Sequence, residues 1–207
     1  MQRRDFLRLS AGAVPAAGLA AWPAPLRAVI APRRRVLFFT KSAGFQHSAI
    51  ARKGDELGFA ERTLIELGRQ HGFDVTATKD GSVFDGDLDR FDAFFFHTTG
   101  DLTQRGTDGT PPMSVAGKRR LLEAVAAGKG FVATHCGSDT FHTKGDSRSE
   151  QPREQRDPYI AMLGGEFISH GPQQKARQLV KSPTFPGLTG VGESFEMQEE
   201  WYSLKNF

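Results

Sequence analysis

Val36-Leu37-Phe38-Phe39-Thr40-Lys41-Ser42-Ala43-Gly44 begins as an unbroken apolar run and turns abruptly small and polar. Such a run is the pattern of a strand buried on both faces, and it places Lys41 to Ser48 in the loop at that strand's C-terminal end. Working outward, Leu57, Ala60, Leu64, Leu67 and His71 recur at helical spacing, with Gly72 as the stop. Phe73 to Thr78 alternates as a second strand, and Phe91 to Thr98 forms a third that ends in Thr98-Thr99-Gly100-Asp101. Val115, Leu122, Val125 and Ala126 mark a helix closed by Gly128, and Gly130 to Thr134 reads as a fourth strand. Asp157-Pro158 is an N-cap with proline at the first helical position, so a short helix runs to Gly164-Gly165. Lys175 to Lys181 and Phe195 to Trp201 are further strands. Strands alternating with helices predict an α/β fold: three layers, a mostly parallel sheet with helices on both faces. In such a sheet the ligand site lies beyond the carboxyl ends of the strands.

The other end of the chain has a different character. Arg3-Arg4-Asp5-Phe6-Leu7-Arg8 precedes a mildly apolar stretch broken by Gly12, Pro15 and Gly18, the order of a twin-arginine targeting signal. The stretch is shorter than the ~20 residues a membrane-spanning helix needs. Residues 1–28 are therefore expected to be an address, with no permanent membrane anchor, and residues 29–207 the folded domain, exported folded to the periplasm or beyond. The segment holds Arg3, Arg4, Arg8 and Arg27 against Asp5 alone, so 27 basic and 24 acidic residues become 23 and 23 without it. A near-neutral domain gives no support to a nucleic-acid partner. Cys136 is the only cysteine, so no internal disulfide can form.

The chemistry concentrates at the predicted strand ends. Ala133-Thr134-His135-Cys136-Gly137 places small residues around a reactive side chain at a strand-to-helix turn, the shape of a nucleophile elbow. Two registers fit. His135 at the apex has Ala133 and Gly137 as its spaced neighbours; Cys136 there would have Thr134 and Ser138, which is sterically poorer. Of six histidines, His47, His97, His135, His142 and His170 fall at or after strand ends, and His71 ends a helix. A convergent set of imidazoles can exchange protons near neutral pH or bind metal. No His-x-x-x-His spacing occurs, so spacing alone gives a divalent metal little support. Asp101, Asp139, Glu199 and Glu200 are available to orient imidazoles or to act as acid and base.

Lys41-Ser42-Ala43-Gly44-Phe45-Gln46-His47, Phe95-Phe96-His97-Thr98-Thr99-Gly100-Asp101, Gly130 to His135, Ser138-Asp139-Thr140-Phe141-His142, Gly164-Gly165-Glu166-Phe167 with His170, and Glu199-Glu200-Trp201-Tyr202 follow one another in the order of the ThuA-like, trehalose-utilisation family, which the chain resembles. The resemblance implies a flavodoxin-like fold similar to class I glutamine amidotransferases, with histidine where those enzymes carry cysteine. It implies His135 at the apex, with Asp139, His142 and His170 beside it. His135, Asp139, His170 and Glu200 are then the expected catalytic group. Phe45, His47, His97, Thr99, Gly100, Asp101, Phe141, His142 and Trp201 are expected to line the pocket, with Phe45, Phe141 and Trp201 stacking on a sugar. Family members continue past Glu-Trp-Tyr with a strand and a closing helix, whereas this chain stops at Phe207, so uncovered apolar sheet surface is expected.

Three functions compete. The first is an exported enzyme acting on a disaccharide, glycoside or keto-glycoside by histidine and carboxylate chemistry, with or without a divalent metal and as a monomer or homo-oligomer. The second is a Cys136-dependent amidotransferase-like hydrolase, for which the usual late His-x-Glu pair is absent: Gly171-Pro172 follow His170. The third is a sugar-binding or interaction module without chemistry.

Overall fold

A computed structural model describes residues 32–207; the targeting segment expected at residues 1–28 lies outside the described residues. Four parallel strands form the central sheet: β1 (Arg34–Phe39), β2 (Phe73–Thr78), β3 (Ala93–Phe96) and β4 (Gly130–Ala133), in the order β2-β1-β3-β4. Helix α1 (Phe59–His71) connects β1 to β2, and α2 (Val115–Ala126) connects β3 to β4. The third strand is shorter than its apolar run predicts, because Asp92 turns its carboxylate to the Arg35 backbone N–H at 2.7 Å. Both helices end as expected, α1 at a left-handed Gly72 and α2 just ahead of Gly128, also at positive φ. Helix α3 (Pro158–Leu163) starts at the Asp157 cap and ends at left-handed Gly164.

The alternation of side chains along each strand divides the core. Leu37, Phe39, Phe94 and Phe96 face one side and pack with Phe84, Leu121 of α2 and Tyr159 and Ile160 of α3. Phe38 and Phe95 face the other side, toward Ala60, Leu64 and Leu67 of α1. On that side an apolar groove of ≈ 260 Å³ stays open, and Phe59 and Val132 are largely exposed.

Beyond β4 the chain leaves the parallel sheet. Strands β5 (Glu166–His170) and β8 (Tyr202–Lys205) pair antiparallel, and β6 (Gln174–Leu179) and β7 (Ser194–Glu199) form an antiparallel hairpin. The last two correspond to the strands expected from sequence; β5 and β8 carry no comparable apolar alternation. Among the described residues no helix is long and apolar enough to cross a membrane.

A fully buried carboxylate fixes α1 to the sheet. Glu61 accepts from Arg52 Nε at 2.9 Å and Nη2 at 2.7 Å, from the Thr40 hydroxyl at 2.6 Å, and from the Gly58 N–H at 2.8 Å as a helix cap. Burial works against the charge, but these donors overcome it and hold the carboxyl below its usual range. Glu61→Ala would strand them; Arg52 can recover some water, so the expected loss is about 2–3 kcal/mol in a urea melt. An unchanged midpoint would contradict this.

Candidate functional site

The sheet order reverses between β1 and β3, and the loops leaving these two strands diverge to either side of the crevice. They are knit together at its base. Ser42 bridges Thr99 and Gly100 bridges Thr140, and the Ala43 N–H reaches the Thr99 carbonyl at 2.8 Å. Gly100 sits at φ +73°, where a Cβ would fall 2.6 Å from Gly44 N, so only glycine fits. The buried Thr99 hydroxyl donates to the Phe45 carbonyl at 2.7 Å. Thr99 and Gly100 thus build the floor rather than present free groups to a ligand.

His135 occupies the apex of the turn after β4, at φ +48°. Left-handed backbone is disfavoured for any side chain with a Cβ, and its presence on a histidine selects the first of the two elbow registers. The turn closes tightly: Gly137 N–H bonds the Thr134 carbonyl at 2.9 Å, and a Cβ at Gly137 would stand 2.7 Å from Ala133 Cβ. Tyr159 of α3 supports it from below, its hydroxyl donating to the Gly137 carbonyl at 3.0 Å. Cys136 points inward and is fully buried, and burial, with Asp139 adding to it, pushes its thiol up to about 12.

Three imidazoles from three strand ends converge here. The His47 and His135 ring centres lie 4.6 Å apart, His47 and His97 5.7 Å, and His97 and His135 6.0 Å. Exposed Phe45 meets His47 edge-on at 5.0 Å. His47 is held neutral by burial and then by His135, against the pull of Glu200 and Asp139. His97 is driven furthest, down to about 4, by burial and then by His47 and His135. Its tautomer follows from a neighbour: the Thr134 hydroxyl donates to the Phe96 carbonyl at 3.3 Å, so Thr134 accepts from His97 Nδ1–H at 3.2 Å. That leaves the buried His97 Nε2 as an acceptor with no partner among the described residues.

A group so depressed ties stability to pH. His97 titrates near 6.5 when unfolded and near 4 when folded, so its contribution is complete above pH 6.5 and is lost as pH falls toward 4. Allowing for its residual contact with water, the loss is about 2 kcal/mol. Urea melts at pH 4.5 and 7.5 should differ less for His97→Gln than for the wild type; an identical difference would remove His97 as the cause.

The antiparallel pair brings the remaining members. Tyr202 of β8 sets its hydroxyl 3.2 Å from His135 Nε2, with ring centres 4.9 Å apart, and stacks on His170 of β5 at 5.7 Å and 19°. His170 Nε2 lies 3.7 Å from Glu200. Tyr202 is the member sequence reasoning passed over, choosing Trp201 beside it. The Trp201 indole N–H instead donates to the Gln174 carbonyl at 3.0 Å, tying down the start of β6.

Asp139 links this cluster to a second group. It accepts from His142 Nε2 at 2.8 Å, and His142 Nδ1 lies 3.1 Å from the buried Glu166 carboxylate. His142 is raised above its ordinary value by the Asp139 hydrogen bond, which outweighs burial, with Glu166 adding to it. His142, Asp101 and Phe141 line a separate hollow of ≈ 500 Å³ with Lys118, Lys144 and Arg156. Asp101 spends its carboxylate on the Thr103 N–H and hydroxyl at 3.0 and 2.7 Å. Phe141 is buried edge-on against Tyr159, with the Lys118 ammonium 3.8 Å from its centre, so the expected sugar-stacking face is taken. Among the described residues no group of three or more His, Cys, Asp or Glu is arranged to hold a metal ion.

The fold has a counterpart among solved structures. A crystal structure of a protein described as ThuA-like, from Bacteroides uniformis ATCC 8492, superposes with a TM-score of 0.57 at 19% identity, covering 87% of this chain. The chain spans 65% of that protein's length. No curated protein sequence matches it. The family model described as ThuA, trehalose utilisation, matches residues 35–207, essentially the whole α/β unit in which the imidazoles converge. The chain belongs to the ThuA family.

Proposed function

We propose that the protein is an exported carbohydrate-active enzyme acting on a disaccharide, glycoside or keto-glycoside through histidine and carboxylate acid-base chemistry. The observation that carries this reading is His135, held at φ +48° on a turn apex with His47 and His97 packed around it and their Nε or Nδ atoms largely neutral. Neutral imidazoles can take a proton from a sugar hydroxyl or from a carbon beside a ketone near pH 7. The Glu200 carboxylate beside His170, and Asp139 beside His142, supply the charge that stabilises an imidazolium once formed. Exposed Phe45 offers an apolar ring face at the rim. The family's description, trehalose utilisation, supports a carbohydrate as the ligand class. The twin-arginine segment supports action outside the cytoplasm.

A thiol mechanism has less behind it, because a fully buried Cys136 with its thiol pushed up to about 12 is neither accessible nor ionised. The second reading is a sugar-binding module. Turnover of a panel of disaccharides and their keto forms, followed by chromatography, together with thermal shift against the same panel, separates the two. Product formation is the expected result; a raised melting temperature without product would support binding alone.

A further inference from the structure

We propose that Tyr202 and His135 form a proton relay in which the phenol, rather than the imidazole, meets the substrate. This rests on the acid-base reading above and names the residue that sequence reasoning passed over.

The geometry is specific. His135 Nε2, the nitrogen at the tip of the ring, is occupied at 3.2 Å by the Tyr202 hydroxyl. A substrate approaching that nitrogen finds the phenol already there. The phenol is held on three sides: His135 at 4.9 Å, His170 stacked at 5.7 Å, and Phe167 at 4.4 Å between ring centres. The register of the antiparallel pair sets Tyr202 directly opposite His170, so the backbone dictates this position. Two flanking rings and a strand pairing leave the hydroxyl little freedom to leave His135.

The phenol also stays protonated. Burial, then Cys136 and the carboxylates Glu200, Asp139 and Glu199, all push its titration upward. A tyrosine that keeps its proton and lies against a single imidazole nitrogen donates to it, which makes Nε2 an acceptor and puts the imidazole proton on Nδ1. The relay then balances. The substrate's proton passes to the phenolic oxygen as the phenolic proton passes to Nε2; the substrate loses one proton, the tyrosine is unchanged, and His135 becomes imidazolium. Reversed, the same path delivers a proton to a leaving oxygen. No free phenolate arises, in keeping with the upward shift.

The test is Tyr202→Phe, read two ways. In long-range ¹H–¹⁵N NMR, with the His135 signals assigned against His135→Asn, the wild type should show the Nδ1–H tautomer and the variant a shift toward Nε2–H. With the keto form of trehalose as probe, kcat should fall about 10²-fold while KM stays within twofold. Identical tautomers in the two proteins would overturn the relay. If His135→Ala is inactive while Tyr202→Phe turns over at the wild-type rate, the relay fails and the acid-base reading survives. If His135→Ala retains full activity, that reading fails. Should Tyr202→Phe not fold, 3-fluorotyrosine at position 202 retains the ring and acidifies the phenol: a changed rate and pH profile supports the relay, and an unchanged one removes it.

Discussion

His135→Ala and His135→Gly should both lose turnover by about 10²–10⁴-fold, yet the glycine variant should melt higher than the alanine one. Both substitutions remove the imidazole, and with it the contacts to His47 and to the Tyr202 hydroxyl. They differ at one point only. Alanine retains a Cβ at φ +48° and with it the steric conflict that left-handed backbone imposes, whereas glycine has none. That conflict is worth about 1–2 kcal/mol, offset in part by glycine's greater freedom in the unfolded chain. The net difference of about 1 kcal/mol corresponds to roughly 2–4 °C for a domain of this size. The comparison matters because it separates strain from chemistry. Strain held at a residue that does nothing would be an unexplained cost; strain at a residue whose removal extinguishes the reaction is strain the site uses. Equal melting temperatures would mean the backbone is relaxed at this apex, and a retained rate would remove His135 from the mechanism.

The elbow was legible in sequence because its requirement is steric and local: Ala133 and Gly137 must be small, as their near contact shows. The parallel sheet was legible for a similar reason, since β1 and β3 are apolar on both faces and announce themselves without context. Tyr202 could not be found that way. It arrives on β8, a strand of four residues that pairs with β5 across a bulge, and neither strand has the apolar alternation of a half-buried sheet. What holds them is polar. Glu166, Lys205 and Asn206 are buried together, and in a sequence such residues read as solvated surface. Asp101 and Phe141 stand in the expected segments and line the neighbouring hollow, but the Asp101 carboxylate is engaged by its own turn and the Phe141 ring packs into the core. Segment order locates a loop; it does not say which of the loop's side chains are already engaged.

The same polar group carries the second large effect, because Glu166→Ala should cost about 4–5 kcal/mol, or roughly 10 °C, and loosen the site as well. The Glu166 carboxylate accepts from Asn206 Nδ2 at 2.7 Å and the Thr143 N–H at 3.2 Å, and faces Lys205 Nζ at 3.6 Å and His142 Nδ1 at 3.1 Å. Lys205 and Asn206 are almost wholly buried and would keep only neutral acceptors, the Asp146 and Ser149 carbonyls and Gln151 Oε1, so losing Glu166 leaves the Lys205 charge without a counter-ion where water cannot reach it. Glu166→Gln preserves the shape but not the charge, and should fall between wild type and alanine. The pH dependence gives an independent check. Burial opposes the Glu166 charge, but its donors win and lower its titration below the ordinary carboxylate value of 4.5, so its stabilisation is present above that value and lost as pH falls through the folded one. His142 is raised above 6.5, so its share is complete below 6.5 and lost as pH climbs through the raised value. The two together make the attachment of β5 and β8 strongest in a window between those limits, and Glu166→Ala should remove its lower edge while only softening the upper one, which Asp139 chiefly sets. Tyr202 sits at the start of β8, so the same variant should weaken the Tyr202–His135 hydrogen bond although Glu166 touches neither residue. A Glu166→Ala protein with wild-type stability and an unperturbed His135 signal would mean that β8 is held by its strand pairing, and that the buried polar group is incidental to the site.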